Sequence, residues 1–330
     1  MTDNTSHRLD GLEPDNLLAF MALLGLLRVL EEARPLWCPR VSWTLDNPPL
    51  RPVLRVLGVP NDVAVAEAAA EGLEDLAKRH EFGGLANLTL SPTEATRNLR
   101  RAANVAGRDR YTADLWSALV SDATLSRDGK KVEPTPLCLL KGQGHQHFLK
   151  RLASVPQQKK PPGRGKIAVS ETDCLRESLF APWKRPDATE SFRWDPHEDV
   201  RYALRARDPT DASTKETTQH GANRLAAVGL STLTVVPRRR ANDVKLSIIG
   251  GDREARGGFV FRWPIWREPI SLAGIRALLS HPNLRNQGAL RSLGVVEVRQ
   301  TRRILTGRYM NFMRAEAELD HARENLRHQG

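Results

Sequence analysis

The stretch KGQGHQHFLKRLASV, residues 141–155, holds the densest set of side chains able to do chemistry. Gly142 and Gly144 precede a helical pattern that carries Phe148, Leu149 and Leu152, with Lys141, Lys150 and Arg151 close by. A glycine turn opening a helix can aim backbone N–H groups at an anion, and the helix dipole favours negative charge there. The chemistry implied is phosphate binding. The spacing matches neither GxxxxGK[ST] nor GxGxxG, since His147 takes the third glycine position, and this argues against P-loop nucleotide hydrolysis.

His145 and His147 raise a metal-dependent nuclease as the alternative. Two side chains at this spacing share a metal only in extended or loop geometry. No carboxylate lies within ten residues of them, whereas metal nucleases need several. His197, Glu198 and Asp199 can supply ligands only if the fold brings them near. The favoured reading is that the histidines contact nucleic acid or serve structure, with no catalytic residue, metal or cofactor assigned. No GxSxG nucleophile signature occurs.

Cations surround this stretch. Between Glu133 and Glu171 the chain carries Lys141, Lys150, Arg151, Lys159, Lys160, Arg164 and Lys166 and no acidic residue. A second acid-free run holds Arg299, Arg302, Arg303, Arg308 and Arg314, interleaved with Tyr309 and Phe312. Arg238, Arg239 and Arg240 follow Pro237 as a basic corner. Arginines among aromatics suit backbone contact and stacking with nucleic acid, while the bland reading is a charged strand edge guarded against aggregation. Gln143, Gln146 and Asn223 carry amides of the kind that read adenine, and Gly144, His145 and Arg224 lie beside them in sequence.

These side chains need elements to position them. Asp15 to Ala33, DNLLAFMALLGLLRVLEEA, has no charged side chain from Leu17 to Leu27. Asp15 is the expected N-cap and Pro35 the stop. A helix apolar on all sides must be wrapped by protein, and the run is too short to cross a bilayer, which needs about 18 such residues. Val41, Trp43 and Leu45 alternate as a strand, with Val53 to Leu57 as its partner. Asp62 to His80 reads as an exposed helix, and Ser91-Pro92-Thr93-Glu94 opens another through a capping box. That helix carries Arg97, Arg100 and Arg101, and one from Thr112 comes next. Asp128-Gly129 is a turn, Leu137 to Leu140 a strand, and Gln157 to Lys166 a flexible basic loop.

Beyond it the pattern predicts a helix from Glu171 to Phe180 and strands around Phe192–Trp194 and Arg201–Arg205. A loop over Asp208–Gln219, a small-residue helix to Gly229 and three strands come after, and a charged helix from Ala315 to Arg327 closes the chain. The sum is an α+β fold of mixed sheets with a buried N-terminal helix and a helical middle region. Residues 1–156 form an N-terminal α+β domain with a helical insert, 157–170 the basic loop, and 171–330 a C-terminal α+β domain.

Composition agrees with a globular chain of 330 residues, 27% charged and 40% hydrophobic. Lys+Arg number 50 against 39 Asp+Glu, a net charge of +11 that favours polyanions. Cys38, Cys138 and Cys174 lie far apart without CxxC spacing, against a disulfide framework or a structural zinc. The N-terminus MTDNTSHR lacks a basic n-region, so a cytoplasmic protein is expected.

Several stretches together resemble proteins encoded in type I-G (formerly I-U) CRISPR loci. They are LDGLEPDNLLAFMALLGLLRVL, LLKGQGHQHFL, RWDPHEDVRYALRARDPT, GANRLAAVGL, WPIWREPISLAGIRALL and LGVVEVRQTRRI with GRYMNF, in that order. Leu17 departs from the family's usual proline. The resemblance implies a compact large-subunit-like component of a Cascade-type complex. Its partners would be crRNA, target DNA, other effector subunits and a separate helicase–nuclease. Its role would be PAM recognition, duplex opening and nuclease recruitment. A purely structural subunit is the further alternative.

Overall fold

The computed structural model describes residues 4–58, 61–126, 128–139, 147–161, 164, 168–197, 217–240, 243–254, 258–286, 288–306 and 309–318. β1 (Asn4–Arg8) leads into α1 (Leu17–Ala33), and β2 (Arg40–Trp43) and β3 (Pro52–Leu57) return beside it. The three strands form an antiparallel sheet in the order β1-β3-β2. Every residue of α1 from Leu17 to Leu27 is buried, as a helix with no polar side chain requires. Its N-cap is Asn16 rather than Asp15: the Asn16 side chain accepts from the Ala19 N–H at 3.3 Å. Arg28 is held within the fold. It pairs with Asp114 at 2.7 Å, and Val29 and Leu30 beyond it are buried again.

The next helices are α2 (Asp62–Ala77), α3 (Pro92–Val105) and α4 (Arg110–Leu119). α2 is not the exposed helix its Ala/Glu content suggests. Val65, Ala66, Ala69, Leu73 and Leu76 are buried, and a Cβ on Gly72 would stand 2.2 Å from the Val29 carbonyl of α1. Small side chains let the two backbones approach. α3 begins with the expected capping box of Ser91 and Glu94, with Pro92 at its first position.

β4 (Val120–Leu125) and β5 (Val132–Pro134) form a hairpin around Asp128-Gly129. Leu137–Leu139 is not a strand; the segment turns, and its Leu137 carbonyl accepts from the Trp194 indole at 2.9 Å. α5 (Phe148–Gln157), α6 (Glu171–Phe180) and α7 (His220–Gly229) complete the helical part of the middle. Phe192–Trp194 is likewise irregular, a pair of stacked rings 4.5 Å apart rather than a strand. The predicted strand at Arg201–Arg205 and most of the loop after it lie outside the described residues.

The chain ends in strands. β6 (Val235–Arg240) pairs with β7 (Asp243–Ile248), then come β8 (Gly251–Arg253), β9 (Phe259–Trp266), α8 (Leu272–Ser280), β10 (Val295–Thr306), β11 (Tyr309–Phe312) and β12 (Glu316–Ala317). The second large sheet runs β11-β10-β9-β8, with β12 also on β10. β10 is therefore an interior strand rather than a charged edge. The final helix predicted from Ala315 begins instead with β12; residues 319–330 lie outside the described residues. All described pairings are antiparallel, and with eight helices among the described residues the fold is α+β.

α1 joins the two halves. α7 lies along it so closely that a Cβ on Gly25 would be 1.9 Å from the Leu225 carbonyl, and one on Gly229 2.1 Å from that of Met21. Phe20 stacks on Trp263 of β9 at 5.1 Å. Residues from both sides of 157–170 thus share one apolar core.

Candidate nucleic-acid interface

Lys141, Gln143, Gly144, His145, Gln146, Lys166 and Arg308 lie outside the described residues. The helix beyond the glycine turn is described, and most of its N-terminal N–H groups already have partners in the protein. His147 caps α5 in the left-handed region, φ 51°, with no side-chain cap. Its N–H donates to Asn87 Oδ1 at 3.0 Å, and the N–H groups of Leu149 and Lys150 both donate to the Ala86 carbonyl, at 3.0 and 3.2 Å. Three of the donors a phosphate would use at this helix end are taken by the 86–87 segment.

The cations of α5 and of the segment after it divide into two groups. Arg151 donates to the Ser191 carbonyl at 2.7 Å and pairs with Glu190 at 3.5 Å. Arg164 forms two hydrogen bonds to Asp187, Nε–Oδ1 at 2.5 Å and Nη2–Oδ2 at 3.0 Å, and a third to Glu177 at 2.6 Å. The carboxylates hold its guanidinium above the ordinary arginine value. Lys159 pairs with Glu74 at 2.6 Å. Lys150 and Lys160, in contrast, are exposed and make no ion pair with a described residue.

Asn223 and Arg224 are buried and cannot reach base edges. Asn223 Nδ2 donates to the Glu190 carbonyl at 2.8 Å. Arg224 donates from Nε to the Pro156 carbonyl at 3.0 Å and from Nη2 to Glu171 at 2.6 Å. His220, one helical turn earlier on α7, reaches the Gln158 carbonyl from Nε2 at 2.6 Å. A carbonyl only accepts, so this nitrogen carries the proton of the neutral ring. Burial depresses the ring's pKa to about 4. The basic loop is therefore fastened at Pro156, Gln158, Lys159 and Arg164. Part of what reads as a flexible polyanion contact is a set of clamps.

The two C-terminal basic stretches also change character. Arg238, Arg239 and Arg240 form the end of β6 rather than a corner; Arg238 and Arg239 are exposed. On β10, Arg299 pairs with Glu297, and Arg302 forms two bonds to Glu254 at 2.8 and 2.9 Å. Arg303 donates to the Pro136 carbonyl at 3.0 Å and lies 5.6 Å over the Phe259 ring; burial lowers its pKa to about 10. Arg314 pairs with Glu13 at 2.6 Å, 301 residues away in sequence. A run free of acids in sequence is not free of acids in space.

No family model, curated protein or solved structure matches the chain. Among the described residues no group of three His, Cys, Asp or Glu could hold a metal, and no helix is long and apolar enough to cross a membrane. His147 and His197 are among the described residues; His145, Glu198 and Asp199 are not.

A further set of cations without a described ion-pair partner lies away from every site expected from the sequence. Arg97, Arg100 and Arg101 of α3, with Arg108 just past its end, are all exposed and pair with no described carboxylate. They line one open groove together with Thr93, Thr96 and Asn104. The signal is present in the sequence: positions 97, 100, 101, 104 and 108 recur at helical spacing on one face.

Proposed function

We propose that this chain is a nucleic-acid-binding subunit of a crRNA-guided type I surveillance complex, acting in the cytoplasm and contacting target DNA. The ordered succession of stretches resembling type I-G proteins supports membership of the complex. The observation that carries nucleic-acid binding is the division of the cations. Arg164 and Arg224 are neutralised by carboxylates inside the fold, whereas Lys150, Lys160, Arg238 and Arg239 stay exposed without an ion-pair partner among the described residues. Such side chains supply phosphate contacts and an affinity that falls with salt. PAM recognition, duplex opening and recruitment of the separate helicase–nuclease are the roles the resemblance implies. No catalytic step is assigned to the chain.

The test uses the purified complex with and without this subunit, on duplexes that differ only in the PAM. Loss of discrimination when the subunit is omitted is the expected result. Equal discrimination by the depleted complex would overturn the reading.

A further inference from the structure

We propose that the arginine face of α3 is a docking surface for the sugar–phosphate backbone of a nucleic-acid duplex. It shares a ligand class with the function proposed for the whole chain and no residue. α3 buries only Ala95 and Ala102, so most of its surface faces outward. Its capping box and Pro92 fix the first turn, and with it the direction of the face. Arg97, Arg100 and Arg101 stand at i, i+3 and i+4, and the helix rise separates the first and last by about 6 Å along the axis. Arg108 extends the row beyond the C-terminal end.

Like charges at this spacing destabilise a helix, and no ion pair with a described residue relieves them. The nearby carboxylates form no ion pair with the row, although Glu94 and Arg97 attract each other through space. Glu94 accepts from the Ser91 backbone and hydroxyl at 2.8 Å each, Asp109 caps Thr112 at 3.1 Å, and Asp122 receives the Thr96 hydroxyl at 3.4 Å. None of the groove's lining residues is acidic. Other helical arginines of the chain, Arg28, Arg110 and Arg176, do have carboxylate partners at 2.7 to 3.2 Å. Part of the net charge of +11 is thus displayed openly on α3.

The groove also selects among nucleic acids. Guanidinium forks match phosphate oxygens two at a time, and the hydroxyl of Thr93 and the amide of Asn104 add neutral donors. No aromatic ring lines the groove. Single-strand binding relies on bases stacking upon such rings. A surface of arginines alone suits a duplex, whose bases are already stacked, and binds it without regard to sequence.

The experiment measures binding of the full-length chain to a labelled mixed-sequence duplex over a salt series. The variant Arg97→Gln/Arg100→Gln/Arg101→Gln/Arg108→Gln should bind more weakly on every sequence. Its slope of log affinity against log salt should be shallower by about 0.9 for each phosphate contact removed. Its thermal midpoint should hold or rise slightly, because the four side chains hold nothing in place and their mutual repulsion is removed. An unchanged slope would overturn the proposal, as would tighter binding of the matching single strand, or equal competition by polyglutamate, which would indicate an acidic protein partner. The variant Lys150→Gln/Lys160→Gln/Arg238→Gln/Arg239→Gln separates the two surfaces. If it loses duplex affinity while the α3 variant keeps it, the inference falls and the proposed function stands. The reverse result upholds the α3 surface and removes the other residues from DNA contact.

Discussion

Asn16 donates from Nδ2 to Oδ1 of Asp195 at 2.9 Å, a buried hydrogen bond spanning 179 residues. The same Asn16 caps α1, and the same Asp195 is held by Arg185 at 2.6 Å and caps the His197 N–H at 3.0 Å. One side chain starts the central helix and fixes a loop from the other half of the chain. The stretches EPDN and RWDPH, far apart in sequence, meet at this bond.

Asn16→Ala should therefore cost more than a lost cap. It removes the acceptor of the Ala19 N–H and one donor to a carboxylate with no exposure to water. The expected loss is about 2 kcal/mol of unfolding free energy, read as a lower urea midpoint. Asn16→Asp should keep the cap yet still destabilise, because it sets a carboxylate against Asp195.

Arg164 gives the clearest contrast between a clamp and a contact. Asp187 is fully buried, and removing its guanidinium partner leaves a carboxylate short of its strongest donors. Arg164→Leu should destabilise by about 3 kcal/mol. Duplex affinity of the folded fraction should stay within error of wild type. A variant that folds normally but loses DNA affinity would restore Arg164 to the interface.

Gly25→Ala tests the contact between α1 and α7. Its Cβ would fall 1.9 Å from a backbone oxygen that cannot rotate away, so the helices must separate. The expected cost is about 3 kcal/mol or outright failure to fold. Gly107→Ala is the matched control, since a Cβ there meets nothing, and its effect should stay within about 0.5 kcal/mol.

His80 and His220 predict an acid sensitivity that sets in above the carboxylate range. Burial depresses both to about 4, from 6.5 in an exposed histidine. His80 is wedged between the Leu152 carbonyl at 2.7 Å and the Tyr111 hydroxyl at 2.5 Å. Above pH 6.5 both rings are neutral, folded or unfolded, and stability is complete. As the pH falls from 6.5 to 4 the unfolded chain binds protons that the folded one excludes. Each histidine then removes up to about 1.4 kcal/mol per pH unit. Urea midpoints at stepped pH should fall through this window, and His80→Gln or His220→Gln should flatten the fall.

Features that rest on near neighbours are legible in the order of the residues. The capping box of Ser91 and Glu94, the turn at Asp128-Gly129 and the apolar run of α1 each depend on contacts a few residues away. Even the arginine row of α3 can be read as a helical period. Which cations are neutralised is settled only by the packing of distant segments. Glu13 neutralises Arg314, Glu171 holds Arg224 and Glu254 meets Arg302. Coulomb attraction and desolvation act through space, so a count of charges along the chain cannot tell a clamp from a contact. The small residues of α2 and α7 behave likewise: Gly72 and Gly229 show their purpose only once α1 lies against them.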